Sequence, residues 1–315
     1  MPSSTEPLHL LIPDAARWLP PGAPRPALPR LPQLQALLRR LRPAGTIAVD
    51  EDSPAMPFEI ALAHANGLPG EPGRVPWAAF ESGTVGTPCA WFKPCHWQLG
   101  LDHVNLLDPA ALALTEDESR ALLAAVQPLL AEDGLALRYA APDAWLAQGE
   151  PLRGLATWSM QRALQRPITR DLLALAPTEA QSAHLRRLQS EVQMLLYSHP
   201  VNEARERERR WPVNALWITG AGTLDAPLPP ARHVLVEPRL ARLSPDAGPD
   251  DHAHAWQAID ADSLARLHAV LEAGGDARLT LCGPRRAQTL APARGAQRFL
   301  SLFGRMSASA LHDQL

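Results

Sequence analysis

Proline limits this chain more than any other residue: 33 of its 315 positions carry one. Each proline fixes φ near about −65° and removes a backbone donor, so long helices and central strands are excluded wherever prolines cluster. The expectation is many short elements joined by short, stiff loops. The length points to two domains, or to one domain with a large insertion. An apolar fraction of 46% suffices for a substantial core, and evenly mixed charges at 20% argue against a largely disordered chain.

Charge and cysteine content narrow the function classes. A net charge of −3 and a pI near 6.4 give no reason to expect nucleic acid or a membrane surface as a partner. Lys93 is the only lysine, so almost all positive charge is arginine, as a GC-rich genome would produce. Cys89, Cys95 and Cys282 cannot complete a disulfide framework. No apolar run approaches the ~18 residues of a membrane span. The first apolar run ends at Ile12 and no basic stretch precedes it, unlike a signal peptide. The expected location is the cytoplasm.

Along the chain, Leu8 to Ile12 reads as a short buried strand ending at Pro13-Asp14, and residues 17–32 as irregular. Gln33 to Arg42 places Leu34, Leu37, Leu38 and Leu41 on one helical stripe. Thr46 to Val49 reads as a second strand, and Pro57 to Asn66 as a helix stopped by Gly67. Residues 67–88, rich in Gly and Pro, mark a boundary. Trp91 to Gln98 and His103 to Leu107 read as extended. Thr115 and Glu118 form a capping box that opens a helix to about Leu130, and Gly134 to Tyr139 alternates as a strand. A long helix over Glu179 to Ser198 ends near Pro200, since proline disfavours helix for the residue before it. A strand at Asn214 to Thr219 then enters Gly220-Ala221-Gly222. The strand Val234 to Val236, a helix around Asp262 to Leu271 and the strand Arg278 to Cys282 complete an α/β alternation.

Two segments carry a resemblance. His199-Pro200-Val201-Asn202 with Arg205 is followed by Pro212, Asn214, Trp217, Gly220 and Gly222. This is similar to the run of the archaeal-type, cofactor-independent phosphoglycerate mutases, relatives of alkaline phosphatase. Pro94 to Gln98 with Asp102-His103-Val104, Arg187-Leu188-Gln189 with Gln193 to Tyr197, and Leu279 to Gly283 narrow the resemblance to the RpfE-type regulatory proteins of bacteria. The resemblance implies a three-layer alkaline-phosphatase-like α/β core, incomplete here, with a smaller inserted α+β domain. On that basis residues 1–85 and 179–315 form the core, and 86–178 the insertion. It also puts Asp14 where the family has a metal-binding aspartate, and Ser53 roughly where a nucleophilic serine would fall. The family's late Asp and His ligands have no counterpart: from Gly283 to Leu315 only His312 and Asp313 occur.

A two-metal phosphoryl-transfer centre needs several carboxylates and imidazoles converging on its ions, plus an activated hydroxyl. Asp14 offers one ligand, or is a polar residue at a strand end. Asp246, Asp250, Asp251, His252 and His254 form the one dense Asp/His cluster; Pro245, Gly248 and Pro249 around it indicate a solvated acidic loop, with metal binding as the alternative. Cys89 and Cys95 are too far apart for the usual zinc spacing, and His96 beside Cys95 points to the opposite strand face. His199, Asn202, Arg205 and Asn214 with the Gly220–Gly222 loop have two readings. Arg205 can grip a phosphate or carboxylate bidentately while the glycines let backbone amides approach an anion. Alternatively, the same residues fix a helix-to-strand turn. Glu206 to Arg210 is a charge run suited to a solvated face.

The leading expectation is a catalytically degenerate phosphoglycerate-mutase-like protein that regulates, or binds a small phosphorylated or carboxylated metabolite. The rival is a metal-dependent phosphomutase or phosphatase using Asp14, Ser53 and the 246–254 cluster, with Mn²⁺ or Zn²⁺ as cofactor. The third reading is a protein-interaction module with a protein partner, its nine tryptophans lining a surface.

Overall fold

The computed structural model describes residues 7–16, 27–100, 104–164, 166–168, 177–244, 247–293 and 308–315. Asp102, His103 and Asp246, singled out above, lie outside them. The chain forms two compact units: Met1–Asp52, Met56–Gly67 and Pro230–Leu315 make the first, and Ser53–Ala55 with Leu68–Pro229 the second. The sequence reading set its boundaries near 85 and 178.

The first unit opens with β1 (Leu8–Ile12), buried along its whole length. Helix α1 (Pro32–Arg40) follows, burying Leu34, Leu37 and Leu38. It is followed by β2 (Leu41–Ala48) and α2 (Pro57–Asn66), which Gly67 closes in the left-handed region at φ 71°. Gly67 has no Cβ to oppose that conformation, as its reading as a helix stop required.

The second unit begins with α3 (Trp77–Ser82), a short helix in the stretch read as a boundary. Strand β3 (Cys89–Cys95) and the hairpin β4 (Trp97–Leu99) and β5 (Val104–Leu106) come next. After α4 (Pro109–Leu112), the expected capping box starts α5 (Glu116–Glu132). Strands β6 (Ala136–Ala141) and β7 (Ala144–Gln148) pair antiparallel. Helices α6 (Met160–Ala163), α7 (Glu179–Tyr197) and α8 (Pro200–Arg207) lead to β8 (Ala215–Gly222). The four-stranded sheet, ordered β6-β7-β3-β8, is antiparallel throughout. Phe92, Trp145, Leu122, Val126, Leu188 and Val192 share the core that α5 and α7 close against it.

One defect in that core is testable. Gln189 lines a cavity of about 20 Å³ together with Phe92, Leu188, Val192 and Ile218, and its buried Oε1 has no partner. A cavity of that size admits one water, but a water wants two to four polar partners and the surface that the walls expose is apolar. Gln189→Met should therefore raise stability by about 1 kcal/mol, or about 2–4 °C in Tm, by removing the orphan acceptor and filling space. A fall in Tm would show that the amide has a partner.

The chain then returns to the first unit with β9 (Val234–Val236), α9 (Pro249–Ile259), α10 (Ala265–Glu272), β10 (Ala277–Cys282), β11 (Arg286–Pro292) and α11 (Ala308–Gln314). The five-stranded sheet runs β2-β11-β10-β1-β9. β1 is parallel to both neighbours, while β11 is antiparallel to β10 and β2. Leu8, Leu10 and Ile12 pack with α1 and α10 on one face; Leu11 meets Ala61 of α2 on the other. Helices thus cover both faces of a mixed sheet.

Asp250, Asp251, His252 and His254, read from the sequence as part of a solvated loop, lie on the helix α9. Pro249 stands at the first helical position, where its missing N–H costs nothing. A π turn over Asp260–Leu264 joins α9 to α10. It delivers the buried Asp260 carboxylate to the start of α1, where Leu31 offers no side-chain cap. There it accepts from the amides of Gln33 at 3.1 Å and Leu34 at 2.8 Å. Negative charge there also suits the helix dipole.

Candidate functional site

The residues that carry the resemblance gather where α7, α8 and β8 meet. α7 ends at Tyr197, ahead of Pro200 as expected, and Pro200 then opens a further helix, α8, with His199 as the N-cap, its Nδ1 accepting from the Val201 amide at 3.2 Å. Burial holds the His199 imidazole below its ordinary pKa. Asn202, 2% exposed, donates through Nδ2 to the carbonyls of Leu196 at 2.8 Å and Val213 at 2.7 Å. Its Oδ1 accepts from the Val213 amide at 2.8 Å. One side chain thus ties the end of α7 to the start of β8.

Arg205 is fully buried, and each of its nitrogens donates to a protein acceptor: Nε to the Trp211 carbonyl at 2.7 Å, Nη1 to Glu118 at 2.8 Å, and Nη2 to the Leu112 carbonyl. Arg210 donates to the other Glu118 oxygen at 2.6 Å, so one member of the charge run is engaged rather than solvated. Desolvation pulls the Glu118 pKa upward, but the Thr115 amide, Arg210 and Arg205 outweigh it and hold the carboxyl at about 2. Sequence reasoning saw Glu118 as a capping residue and missed that it also anchors two arginines from α8 and the turn after it. Helical spacing carries no signal for a contact 87 residues away.

Asn214 faces a different segment. Its Oδ1 accepts from the Trp97 amide at 2.7 Å and its Nδ2 donates to the Trp97 carbonyl at 3.0 Å, acting as a one-residue strand partner for β4. His96 bonds the Pro212 carbonyl at 2.8 Å and its ring lies 4.9 Å from that of Trp211. Gly220 and Gly222 face α3: a Cβ on Gly220 would stand 2.9 Å from the Trp77 Cβ, and one on Gly222 would stand 2.7 Å from the Pro76 Cα. The glycines therefore admit close packing of α3 on β8. Asn202 and Arg205 thus come together in one network, while Asn214 serves Trp97 and the glycines serve α3.

In the first unit, Asp14 follows β1 at the carboxyl end of the parallel strands, the usual place for ligands in α/β sheets. Its φ is 52°, uncommon for a residue with a side chain. Burial raises the pKa of its carboxyl, which no described residue hydrogen-bonds. The next amide, Ala15, donates to the Cys282 carbonyl at 2.7 Å. Glu237, which sequence reasoning missed, follows β9 at the same edge and is buried; it accepts from the Ser263 hydroxyl and from the Arg239 amide at 3.1 Å. Asp250, Asp251 and His252 lie in the first turn of α9, where Asp251 caps the Gly248 amide at 2.9 Å. Ser53 belongs to the second unit; its Oγ donates to the Ala55 carbonyl at 3.0 Å, and its own carbonyl accepts from Arg162 Nε at 3.1 Å. Among the described residues no three of His, Cys, Asp and Glu come together as a metal site. They do not fit a two-metal centre, and no reaction step is derived through one.

No helix among the described residues is long and apolar enough to cross a membrane. Neither a protein-family model nor a curated protein matches the sequence. Solved structures do. The cofactor-independent phosphoglycerate mutase from Thermoplasma acidophilum DSM 1728 is similar over 96% of this chain and 94% of its own, at 15% identity and a TM-score of 0.38. The PH0037 protein from Pyrococcus horikoshii is similar over 92% of this chain and 88% of its own, at 13% identity and a TM-score of 0.40.

Proposed function

We propose that this chain is a catalytically degenerate phosphoglycerate-mutase-like protein of the RpfE-type group, with an alkaline-phosphatase-like core. It acts as a regulatory protein that binds a small phosphorylated or carboxylated metabolite. The observation that carries this reading is the isolation of Asp14: it holds the strand-end position of a metal-binding aspartate, with no second and third ligand gathered around it among the described residues. The resemblance in the 199–222 run supports the family, and the use of Arg205 and Asn202 to fix the turn accounts for that run without catalysis. The reading is tested by assaying 3-phosphoglycerate to 2-phosphoglycerate turnover with added Mn²⁺, alongside the shift in Tm with 3-phosphoglycerate. The expected result is no turnover and a Tm raised by the metabolite through preferential binding to the folded state.

One observation favours the rival, a metal-dependent phosphomutase. Asp14 combines a left-handed backbone with a desolvated carboxylate that has no hydrogen-bond partner among the described residues, and such strain concentrates at functional sites. Turnover abolished by Asp14→Ala would establish that rival and sink the regulatory reading.

A further inference from the structure

Two large apolar side chains of the second unit stand in water. Met194 is 75% and Tyr197 85% exposed, the highest values among the large hydrophobic residues described. They are three residues apart on α7 and so share one face of it. The inner side of the same helix buries Leu188, Val192 and Leu196, so the core does not use the outward pair. The helix end that carries them is fixed: the Leu196 carbonyl accepts from the His199 amide at 3.1 Å and from Asn202 Nδ2 at 2.8 Å. Ser190, one turn earlier on that face, turns its hydroxyl onto the Arg186 carbonyl at 3.0 Å and leaves the surface small there. A rigid, exposed methionine and tyrosine suit an interface, where both residue types are enriched and a preorganised face loses little entropy on binding.

Charge selects the occupant. From Val192 to Asn202 the chain carries no Asp, Glu, Lys or Arg. Burial holds His199 below its ordinary pKa, and Glu191 at the border is paired with Arg187 at 2.8 Å. The face thus has no sign to steer a charged partner, but it meets its own copy without like-charge repulsion. We infer that this end of α7 is a self-association surface, on which a second copy of the chain packs antiparallel about a twofold axis. Met194 of each copy then lies on Tyr197 of the other, a thioether against an aromatic ring. Half a helix face per copy buries less than about 1,200 Å² in total, the low end for specific association, so the expected dissociation constant is about 10–100 µM. The surface is independent of the proposed metabolite binding.

Sedimentation velocity of the full chain from about 1 to 300 µM tests the inference. The parent is expected to pass from monomer to dimer across that range. Both residues are exposed, so substitution leaves the Tm of the dilute protein unchanged. Met194→Glu and Tyr197→Arg are each expected to weaken dimerisation about tenfold or more. An equimolar mixture of the two variants sets the new carboxylate of one copy against the new guanidinium of the other, and recovers association that neither variant shows alone. A parent that stays monomeric at about 300 µM overturns the inference, and the face then receives a different protein or none. A dimer unmoved by either substitution also overturns it, because the copies then meet elsewhere. Loss in both variants without recovery in the mixture overturns the pairing of Met194 with Tyr197.

Discussion

Arg205→Ala will lower the stability of the second unit by about 3–4 kcal/mol, the range for breaking a buried charged pair by removing one partner. The Trp211 and Leu112 carbonyls lose the Arg205 donor, and the Glu118 Oε2 loses one of its donors. The loss stays below the extreme because Glu118 keeps Arg210 and the Thr115 amide. Arg205→Lys should recover only a small part, since a single ammonium cannot donate along three separated directions as a planar guanidinium does. Urea unfolding followed by tryptophan fluorescence reads this unit well, because seven of the nine tryptophans fall within it. In a double-mutant cycle with Glu118→Gln the coupling should exceed about 1 kcal/mol. If Arg205→Ala costs less than about 1 kcal/mol but abolishes metabolite binding, Arg205 reads the ligand and the structural assignment fails.

That prediction separates what residue types announce from what only three dimensions reveal. The capping box at Thr115 and Glu118, the stripe of α7 and the buried β1 were legible because each is local: the spacing of a few residues contains the whole signal. β11 was not. Its Arg-Ala-Gln-Thr-Leu-Ala-Pro run alternates only weakly, and it holds its place through pairing with β2 across some 240 residues. Proline caused the other errors. The reading opened α2 at Pro57 and closed α7 ahead of Pro200, both as found, but it did not see that Pro200 and Pro249 also open helices, α8 and α9. A fixed φ near about −65° and no N–H to satisfy make proline as suited to a first turn as it is unsuited to a later one. Reading Pro200 and Pro249 this way would have recovered α8 and removed the acidic loop. For the candidate site, sequence named Asn202, Arg205 and Asn214 as polar residues with work to do. It could not say that the first two would be saturated by backbone carbonyls and Glu118, nor that Asn214 would hold Trp97.

Acid will weaken the two units in different pH windows, and His9 and Glu118 set them. His9 is 8% exposed on β1, with Nε2 bonded to the Thr280 hydroxyl at 2.8 Å. Burial first, then the nearby Arg278 and His233, lower its pKa from 6.5 to about 4, against the opposing pull of Asp276. The unfolded chain therefore binds a proton that the folded chain refuses. Stability from His9 is fully present above pH 6.5 and is lost as pH falls from 6.5 to about 4. A shift of that size bounds the loss at about 3 kcal/mol, and partial solvent access reduces it to about 2. Glu118 has the opposite chemistry and the same sign. Its folded pKa of about 2 lies below the ordinary 4.5, so its contribution is complete above pH 4.5 and disappears between 4.5 and about 2. Hydrogen exchange at β1 and β10 amides should therefore accelerate from pH 6.5 downward, after correction for intrinsic rates. Tryptophan-detected urea midpoints should hold until about pH 4.5 and then fall. His9→Gln should flatten the first limb alone, and Glu118→Gln the second alone. If His9→Gln leaves the exchange profile between pH 6.5 and 4 unchanged, the neutral buried histidine is not what sets that limb, and another group of the first unit must titrate there.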